Sequence, residues 1–262
     1  MPTYSELLAG LRRGPNGRIE ASIEEDWMQG RTTYGGLTAA LSLESALELV
    51  EDVPVRSAQV AFVGPVGGDV VISPTILRRG KNTVFVSVDV VGEQGIAARS
   101  IFAFGAKRDS RLAFTRLEAP KVGGPEEAPS FFEGGRRPHF ANNFNVRLMA
   151  GARPVSGASE ADITLWLRHR DEAALYNATT LLSLADAPPP AAMTMFTEPA
   201  PLSSMTWMAE FLTDHISTDN GWFLARHTAQ TAKDGYSSQS MRMWNTSGEP
   251  VMVGRQTIAV FA

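Results

Sequence analysis

Residues 27–50, WMQGRTTYGGLTAALSLESALELV, carry the pattern that decides the fold. After Gly35 and Gly36, apolar residues recur three and four positions apart, which predicts a helix with one apolar stripe over about residues 36–50. Glycines at a helix start let another backbone or a ligand approach closely, and the free N–H groups of the first turn can receive an anion or a developing oxyanion. Tyr34, Gly35 and Gly36 are therefore candidate substrate-binding residues. The same small residues would also serve simply to pack the helix tightly on a sheet.

The composition excludes several classes of protein. The chain has 262 residues, of which 44% are hydrophobic and 20% charged, and this length suits one large or two small globular domains. A net charge of −4 argues against a nucleic-acid partner, and the absence of cysteine excludes disulfides, thiolate catalysis and cysteine metal ligands. Because no stretch approaches the roughly 20 apolar residues of a membrane span, we expect a cytoplasmic protein with no membrane partner.

The order of elements occurs twice along the chain. In the first half, an alternating run over residues 19–27 precedes the glycine-led helix, and four strand-like runs follow it, separated by short turns rich in glycine. In the second half, strand-like runs precede a helical stretch over residues 171–187 that stops at three prolines, and four more strand-like runs follow. We therefore predict an N-terminal unit over residues 1–110, a connector over 111–143 and a C-terminal unit over 144–262.

The repeat extends to single residues. Alignment of the last strand-like run of each half matches Arg99 with Gln256. Alignment of the first strand-like run after each helix matches Ser57 with Thr206 and Phe62 with Phe211. A repeat of one helix and four or five antiparallel strands implies one sheet wrapped around one helix, made twice. The predicted fold class is α+β, with the two sheets paired edge to edge and both helices buried.

Several short motifs keep a fixed order through both halves. In the first half they are Trp27 to Leu37, Val55 to Val66 and Leu77 to Lys81, and in the second half they are Leu165 to Arg168, Leu184 to Ala187, Gly221 to Leu224 and Gly254 to Thr257. On these motifs the sequence resembles the double-hotdog acyl-CoA thioesterases, the group that includes acyl-CoA thioesterase II. The resemblance implies two fused hotdog units and a hydrolase that cleaves the thioester of a fatty acyl-CoA. It also implies that no metal, covalent intermediate or organic cofactor takes part.

The site implied by this resemblance lies where the two halves meet, and it combines an Asp, a Ser or Thr, and a Gln around a water. By position, Thr228 matches the hydroxyl residue and Gln256 the amide, while Thr206 falls where the family has its Asp. Threonine has no basicity at neutral pH, so this departure leaves the general base unassigned. The alternative function is therefore a catalytically weak or non-catalytic acyl-CoA-binding protein, and a hotdog enoyl thioester hydratase is a more remote one.

Residue patterns draw attention to two further features. Asp186 ends the second predicted helix, where the helix dipole opposes a carboxylate, so it is either a base near the site or a hydrogen-bond acceptor that fixes the turn into the prolines. Strand alternation over residues 251–261 places Gln256 on the more apolar face, where a buried amide needs partners. The histidines show no ligand spacing, so no metal is predicted. Acyl-CoA is the expected partner, and a homo-oligomer is allowed but not required.

Overall fold

Twelve of the strands form one antiparallel sheet. The computed structural model describes residues 2–132 and 137–261. Within them, the helices are α1 Tyr4–Ala9, α2 Gly35–Leu47 and α3 Ala178–Ala185. The strands are β1 Arg12–Arg13, β2 Ile19–Ile23, β3 Met28–Gln29, β4 Thr32–Thr33, β5 Val55–Phe62, β6 Gly68–Arg79, β7 Thr83–Gly92, β8 Gly95–Gly105, β9 Phe144–Gly151, β10 Asp162–His169, β11 Leu202–Phe211, β12 Phe223–Lys233, β13 Tyr236–Trp244 and β14 Pro250–Val260.

The strand order repeats about the middle of the sheet. From the centre outward, the N-terminal half runs β5, β8, β7, β6, β2, and the C-terminal half runs β11, β14, β13, β12, β10. β5 and β11 pair antiparallel and join the two halves edge to edge. The predicted α+β double-hotdog fold is confirmed, because each half presents the same strand order to its own central helix.

The strand-like runs predicted from the sequence all form strands, with small changes at their ends. The first run differs most, because the strand stops at Ile23 and residues Glu25–Trp27 form a 3₁₀ turn. This turn places Trp27 in the core with no exposed surface. The chain then reverses through the short β3–β4 pair and enters α2.

The helices are shorter than their patterns suggest. α3 begins at Ala178, so the prediction of a helix from residue 171 is wrong for its first two turns. Asp171 instead accepts hydrogen bonds from the backbone N–H and the hydroxyl of Ser5, at 2.7 and 2.6 Å, which ties this segment to the N-terminal helix. Asn177 then caps α3 by accepting the N–H of Thr180. No helix in the described residues is long and apolar enough to cross a membrane.

The two central helices lie side by side against the inner face of the sheet and run antiparallel. The start of α2 meets the end of α3, since the Tyr34 hydroxyl donates to the carbonyl of Ser183 at 2.7 Å. Small residues on α2, such as Ala39, Ala40 and Ala46, have no exposed surface and allow close packing. The position of the glycine-led stretch therefore fits both roles predicted for it. It allows close packing of the helix, and it places the start of α2 beside the C-terminal half, where a substrate can approach.

The connector crosses the outer face of the C-terminal half, away from the helices. Trp166 donates its indole N–H to the carbonyl of Gly123 at 2.9 Å, and Trp244 donates to the carbonyl of Leu117 at 2.8 Å. These contacts shield the apolar side chains on the outer face from water. Residues 133–136 of the predicted connector lie outside the described residues. Beyond them, the 3₁₀ turn His139–Asn143 returns the chain to the inner face near the start of α2.

Candidate active site

A carboxyl group and an amide meet where the two halves of the molecule join. Asp186 is the C-cap of α3, and Gln256 projects from the inner face of β14. The Gln256 side-chain Nε2 donates to Asp186 Oδ1 at 2.6 Å. The two residues are separated by 70 positions in the sequence, so only the tertiary fold brings them together.

Protein atoms surround the Asp186 carboxyl group closely, although the residue as a whole keeps part of its surface exposed. Burial raises the pKa of Asp186 to about 7, because the charged form loses hydration. Hydrogen bonds from Gln256 and from the backbone N–H of Gly36 act in the opposite direction and favour the carboxylate. Asp186 is thus a carboxyl group that can exchange a proton near neutral pH.

The two glycines at the start of α2 lie directly against this carboxyl group. A Cβ atom on Gly35 would stand 2.8 Å from Asp186 Oδ2, and one on Gly36 would stand 2.6 Å from the carbonyl oxygen of Ser183. Neither position has room for a side chain without a shift of its neighbours. As the first two residues of the helix, Gly35 and Gly36 have N–H groups without an acceptor inside the helix.

Tyr34 holds the helix start in place. Its ring stacks on Phe140 with a centroid separation of 4.2 Å and an interplanar angle of 3°. Burial raises the pKa of Tyr34 well above its usual range, and the negative charge of Asp186 adds to the effect. The phenol therefore stays neutral and donates to Ser183, which fixes the distance between the two helices at the site.

A second buried amide supports the first. Gln239 on β13 donates its Nε2 to Gln256 Oε1 at 2.7 Å, and its own Oε1 accepts the backbone N–H of Ala191 at 2.9 Å. The two glutamines keep only 1% and 3% of their surface exposed. Sequence reasoning missed Gln239, although the alternation of β13 places it on the same buried face as Ser237 and Met241.

The structure does not bring Thr206 to Gln256, which corrects the placement of the family's Asp at that position. Thr206 pairs with Thr257 on β14 and is exposed on the outer face of the sheet. Its neighbour Trp207 is buried on the inner face opposite Gln256. Because adjacent strand residues point to opposite faces, Thr206 cannot share a water with Gln256.

Thr228 also lies elsewhere, so its predicted role beside Gln256 is wrong. Its hydroxyl donates to Asp162 Oδ2 at 2.6 Å. Thr228 pairs with Ser240 on β13, and Ser240 pairs with the exposed Arg255 on β14, so these residues share the outer face. Asp162 also forms an ion pair with Arg226 at the surface, so the hydroxyl of Thr228 donates to a carboxylate that is already paired.

A hydroxyl residue that the sequence reasoning missed does face the site. The pairing of β11 with β14 shifts between Ser204 and Thr206, a β-bulge that inserts one extra residue. Beyond the bulge, Ser204 pairs with the buried Ile258 and shares the inner face with Gln256, two residues along β14. A regular alternation would place Ser204 and Thr206 on the same face, and the bulge separates them.

The two halves are related by pseudo-symmetry, but the polar residues Ser204, Gln256 and Asp186 occur only in the C-terminal half. A bulge between Val55 and Ser57 mirrors the one between Ser204 and Thr206, which confirms the match of Ser57 with Thr206. Through the strand pairs on either side of these bulges, Ser204 matches Val55 and Gln256 matches Phe102. Counting from the N-cap residue of each helix, Asp186 matches Leu43. Each residue of the polar site thus has an apolar counterpart in the other half. The predicted match of Arg99 with Gln256 is therefore wrong by three positions.

A cavity of about 300 Å³ opens elsewhere against α3. Its lining includes His169, Thr180, Leu184 and Phe223. Of the described residues that surround Asp186 and Gln256, only Leu184, two positions before Asp186, also lines this cavity. We locate the candidate site at Asp186 because paired polar groups and a titratable carboxyl converge there. In the described parts of the chain, no group of three or more His, Asp or Glu side chains is placed to hold a metal ion.

Comparison with solved structures supports the fold over nearly the whole chain. A conserved hot dog fold protein of unknown function from Alicyclobacillus acidocaldarius is 20% identical, with a TM-score of 0.86 over 97% of this chain and 96% of its own. The tesB protein of Mycobacterium avium subs paratuberculosis is 14% identical, with a TM-score of 0.82 over 99% of this chain and 100% of its own. Acyl-CoA thioesterase II TesB2 from Mycobacterium marinum is 18% identical, with a TM-score of 0.79 over 98% of both chains.

Family models give the relationship in sequence. No curated protein matches the chain closely enough to count as a relative. The model of the acyl-CoA thioesterase N-terminal domain matches residues 23–105, and that of the acyl-CoA thioesterase C-terminal domain matches residues 118–260. Together the two models cover most of the sequence in the expected order, so the chain belongs to the acyl-CoA thioesterase family with the double-hotdog fold.

Proposed function

We propose that this protein hydrolyses acyl-CoA thioesters, with Asp186 as the general base that activates water. The observation that carries the proposal is the contact of 2.6 Å between Gln256 Nε2 and Asp186 Oδ1, beside the glycines that begin α2. A titratable carboxyl group, a primary amide and a helix start whose Gly35 N–H has no acceptor inside the helix are parts that thioester hydrolysis can use. Membership of the acyl-CoA thioesterase family supports the substrate class.

The acidity of Asp186 suits this role. A general base is most effective when its pKa lies near the operating pH, and burial raises the pKa of Asp186 to about 7. At neutral pH a large fraction of the molecules therefore carry the carboxylate, which is still basic enough to take a proton from water. We propose that this water enters beside Asp186, which is partly exposed as a residue.

The amide of Gln256 orients the water. A primary amide has two N–H donors, and only one of them is needed for the bond to Asp186. The second can donate to a water whose own hydrogen points to the carboxylate. Ser204, on the same face of the neighbouring strand, adds a hydroxyl that can accept or donate to the same water. We therefore assign Asp186, Gln256 and Ser204 to the water, in place of Thr206 and Thr228.

The start of α2 stabilises the charge that develops on the substrate. The water oxygen attacks the thioester carbonyl carbon while one of its protons passes to Asp186. The carbonyl oxygen becomes negatively charged and accepts the N–H of Gly35 at the positive end of the helix dipole. The C–S bond then breaks with its electron pair on sulfur, and the proton on Asp186 passes to that sulfur. The products are the free acid and the CoA thiol, and the carboxylate is restored.

A non-catalytic acyl-CoA-binding protein was the alternative because threonine at position 206 cannot act as a base. Asp186 supplies a carboxyl group at the same junction, so this reason no longer applies. No contact in the described residues favours a hydratase over a hydrolase.

The test is steady-state hydrolysis of saturated acyl-CoA substrates of graded chain length, followed by the CoA thiol released. We expect Asp186→Asn to lower kcat by roughly 10² to 10⁴, the usual contribution of a general base. For the wild-type protein, kcat/KM should rise with pH and level off above about pH 7, because the carboxylate is the active form. Release of CoA from none of the substrates by folded protein would disprove hydrolysis, and full activity of Asp186→Asn would disprove the choice of base.

A further inference from the structure

We propose that Gln239 is a positioning residue that fixes the orientation of the Gln256 amide, so that its NH₂ group and not its oxygen faces Asp186. The catalytic consequence rests on the proposed thioester hydrolysis. The structural part of the inference does not, because it follows from a chain of three hydrogen bonds between buried groups.

The direction of this chain is set at its far end. A backbone N–H can only donate, so the Ala191 N–H requires the oxygen of Gln239 to face it at 2.9 Å. The other side of the Gln239 amide is then its NH₂ group, which requires the oxygen of Gln256 at 2.7 Å. The NH₂ group of Gln256 is thereby left to face Asp186 at 2.6 Å. Each amide has one orientation that satisfies both neighbours.

Burial makes the alternative orientation costly. Gln239 and Gln256 have 1% and 3% of their surface exposed and the contact between the two amides is buried, so water cannot replace a partner lost at that contact. A reversed Gln256 would place two NH₂ groups against each other on one side and an oxygen against the Asp186 carboxylate on the other. Both contacts are repulsive, and a buried polar group without a partner is unfavourable. We call the chain of hydrogen bonds from Ala191 through Gln239 and Gln256 the relay. The relay therefore presents an N–H donor to Asp186 at all times.

The groups around Asp186 allow this effect to be measured. From α2, Tyr34 is the titratable side chain beside the carboxyl group, and its raised pKa keeps it neutral. From β5, the neighbour is the ring of Phe62, which packs against Gly35. From β13 and β14, the neighbours are the two uncharged amides. A change in the pKa of Asp186 on substitution of Gln239 would therefore report the donor from Gln256 and not a new charge.

The experiment compares wild type with Gln239→Leu, which removes the amide at similar size. We expect kcat at pH 7 to fall roughly 3- to 10-fold with KM little changed, as for loss of one hydrogen bond. We expect the pH midpoint of kcat and the midpoint of the Asp186 carboxyl carbon signal in NMR titration to rise by roughly half to one unit. Gln230→Leu is the matched control, since this exposed glutamine on β12 contacts Ser240 and should change neither midpoint.

A double-mutant cycle separates positioning from a general structural role. If Gln239 acts through Gln256, then Gln239→Leu should have no further effect on kcat in the Gln256→Leu background. An equal effect in both backgrounds, or unchanged midpoints in folded Gln239→Leu, would overturn the proposal. If wild type hydrolyses no acyl-CoA, the proposed function fails while the NMR titration still decides the relay.

Folding of the variant is checked by thermal melting, and Gln239→Met serves as a second apolar replacement. If neither variant folds, the side-chain amide protons of the wild-type protein decide the question. The relay requires the NH₂ proton that Gln239 donates to Gln256 to exchange slowly with solvent, because this hydrogen bond is buried inside the protein. Rapid exchange at Gln239 would refute the inference without any variant.

Discussion

Replacement of Asp186 by asparagine should change how the stability of the protein depends on pH. In the folded protein, burial raises the pKa of Asp186 from 3.8 to about 7. Between these two values the folded state holds a proton that the unfolded state has released. Stability therefore falls as pH rises through this window, by about 1.4 kcal/mol per pH unit at most. Asparagine has no proton to lose, so the variant lacks this decline.

The size of the effect follows from the pKa difference. A shift of about three units corresponds to about 4 kcal/mol across the window. Partial exposure of residue Asp186 reduces this value, and we expect roughly 2 kcal/mol. The asparagine also meets the Gly36 N–H and the Gln256 NH₂, two donors, so part of its own hydrogen bonding is poorer at every pH. This second cost does not depend on pH and shifts the whole curve equally.

The measurement is the free energy of unfolding by denaturant for both proteins at half-unit steps from pH 4 to pH 8. All other titrating groups are common to both proteins, so their contributions cancel in the difference between variant and wild type. We expect this difference to move in favour of Asp186→Asn by roughly 2 kcal/mol as pH rises from 4 to 8. A flat difference would refute the raised pKa, and movement in favour of wild type would mean that the fold stabilises the carboxylate.

Four substitutions test the placement of the site. Ser204→Ala should lower kcat by roughly 3- to 10-fold through loss of one hydrogen bond to the water, whereas Thr206→Val and Thr228→Val on the outer face should leave kcat unchanged; the reverse ranking in the same assay would return the site to the threonines. Gly36→Val should lower the melting temperature by several degrees and impair turnover, because a Cβ atom would stand 2.6 Å from the Ser183 carbonyl oxygen; a variant with wild-type melting temperature and kinetics would show that the helix start tolerates a side chain.

Local patterns in the sequence were sufficient for the fold. The alternation of apolar residues predicted the strands from Val55 to Phe62 and from Pro250 to Val260 nearly to their ends, because a strand half-buried in a sheet must alternate. The repeated order of helix and strands predicted two units joined edge to edge. The helix before Ala178 was overpredicted because the contact of Asp171 with Ser5 joins residues 166 positions apart and overrides a local preference.

Sequence also identified Gln256, Asp186 and the Gly35-Gly36 pair as candidates, since a buried amide, a carboxylate at a helix end and a glycine-led helix each need a partner. It did not determine which of them meet. That depends on the antiparallel packing of α2 against α3 and on the pairing of β13 with β14, and the hydrogen bonds at the site join residues 17 to 149 positions apart.

The choice between Ser204 and Thr206 was decided by tertiary structure alone. One extra residue in β11 reverses the face on which a side chain lies, and nothing in the alternation of the surrounding residues marks where that bulge occurs. The amino-acid sequence by itself determined the elements and their repeat, because these depend on the periodicity of neighbouring residues. The polar site depends on strand register and helix contacts between distant segments, and such contacts exist only after the chain has folded.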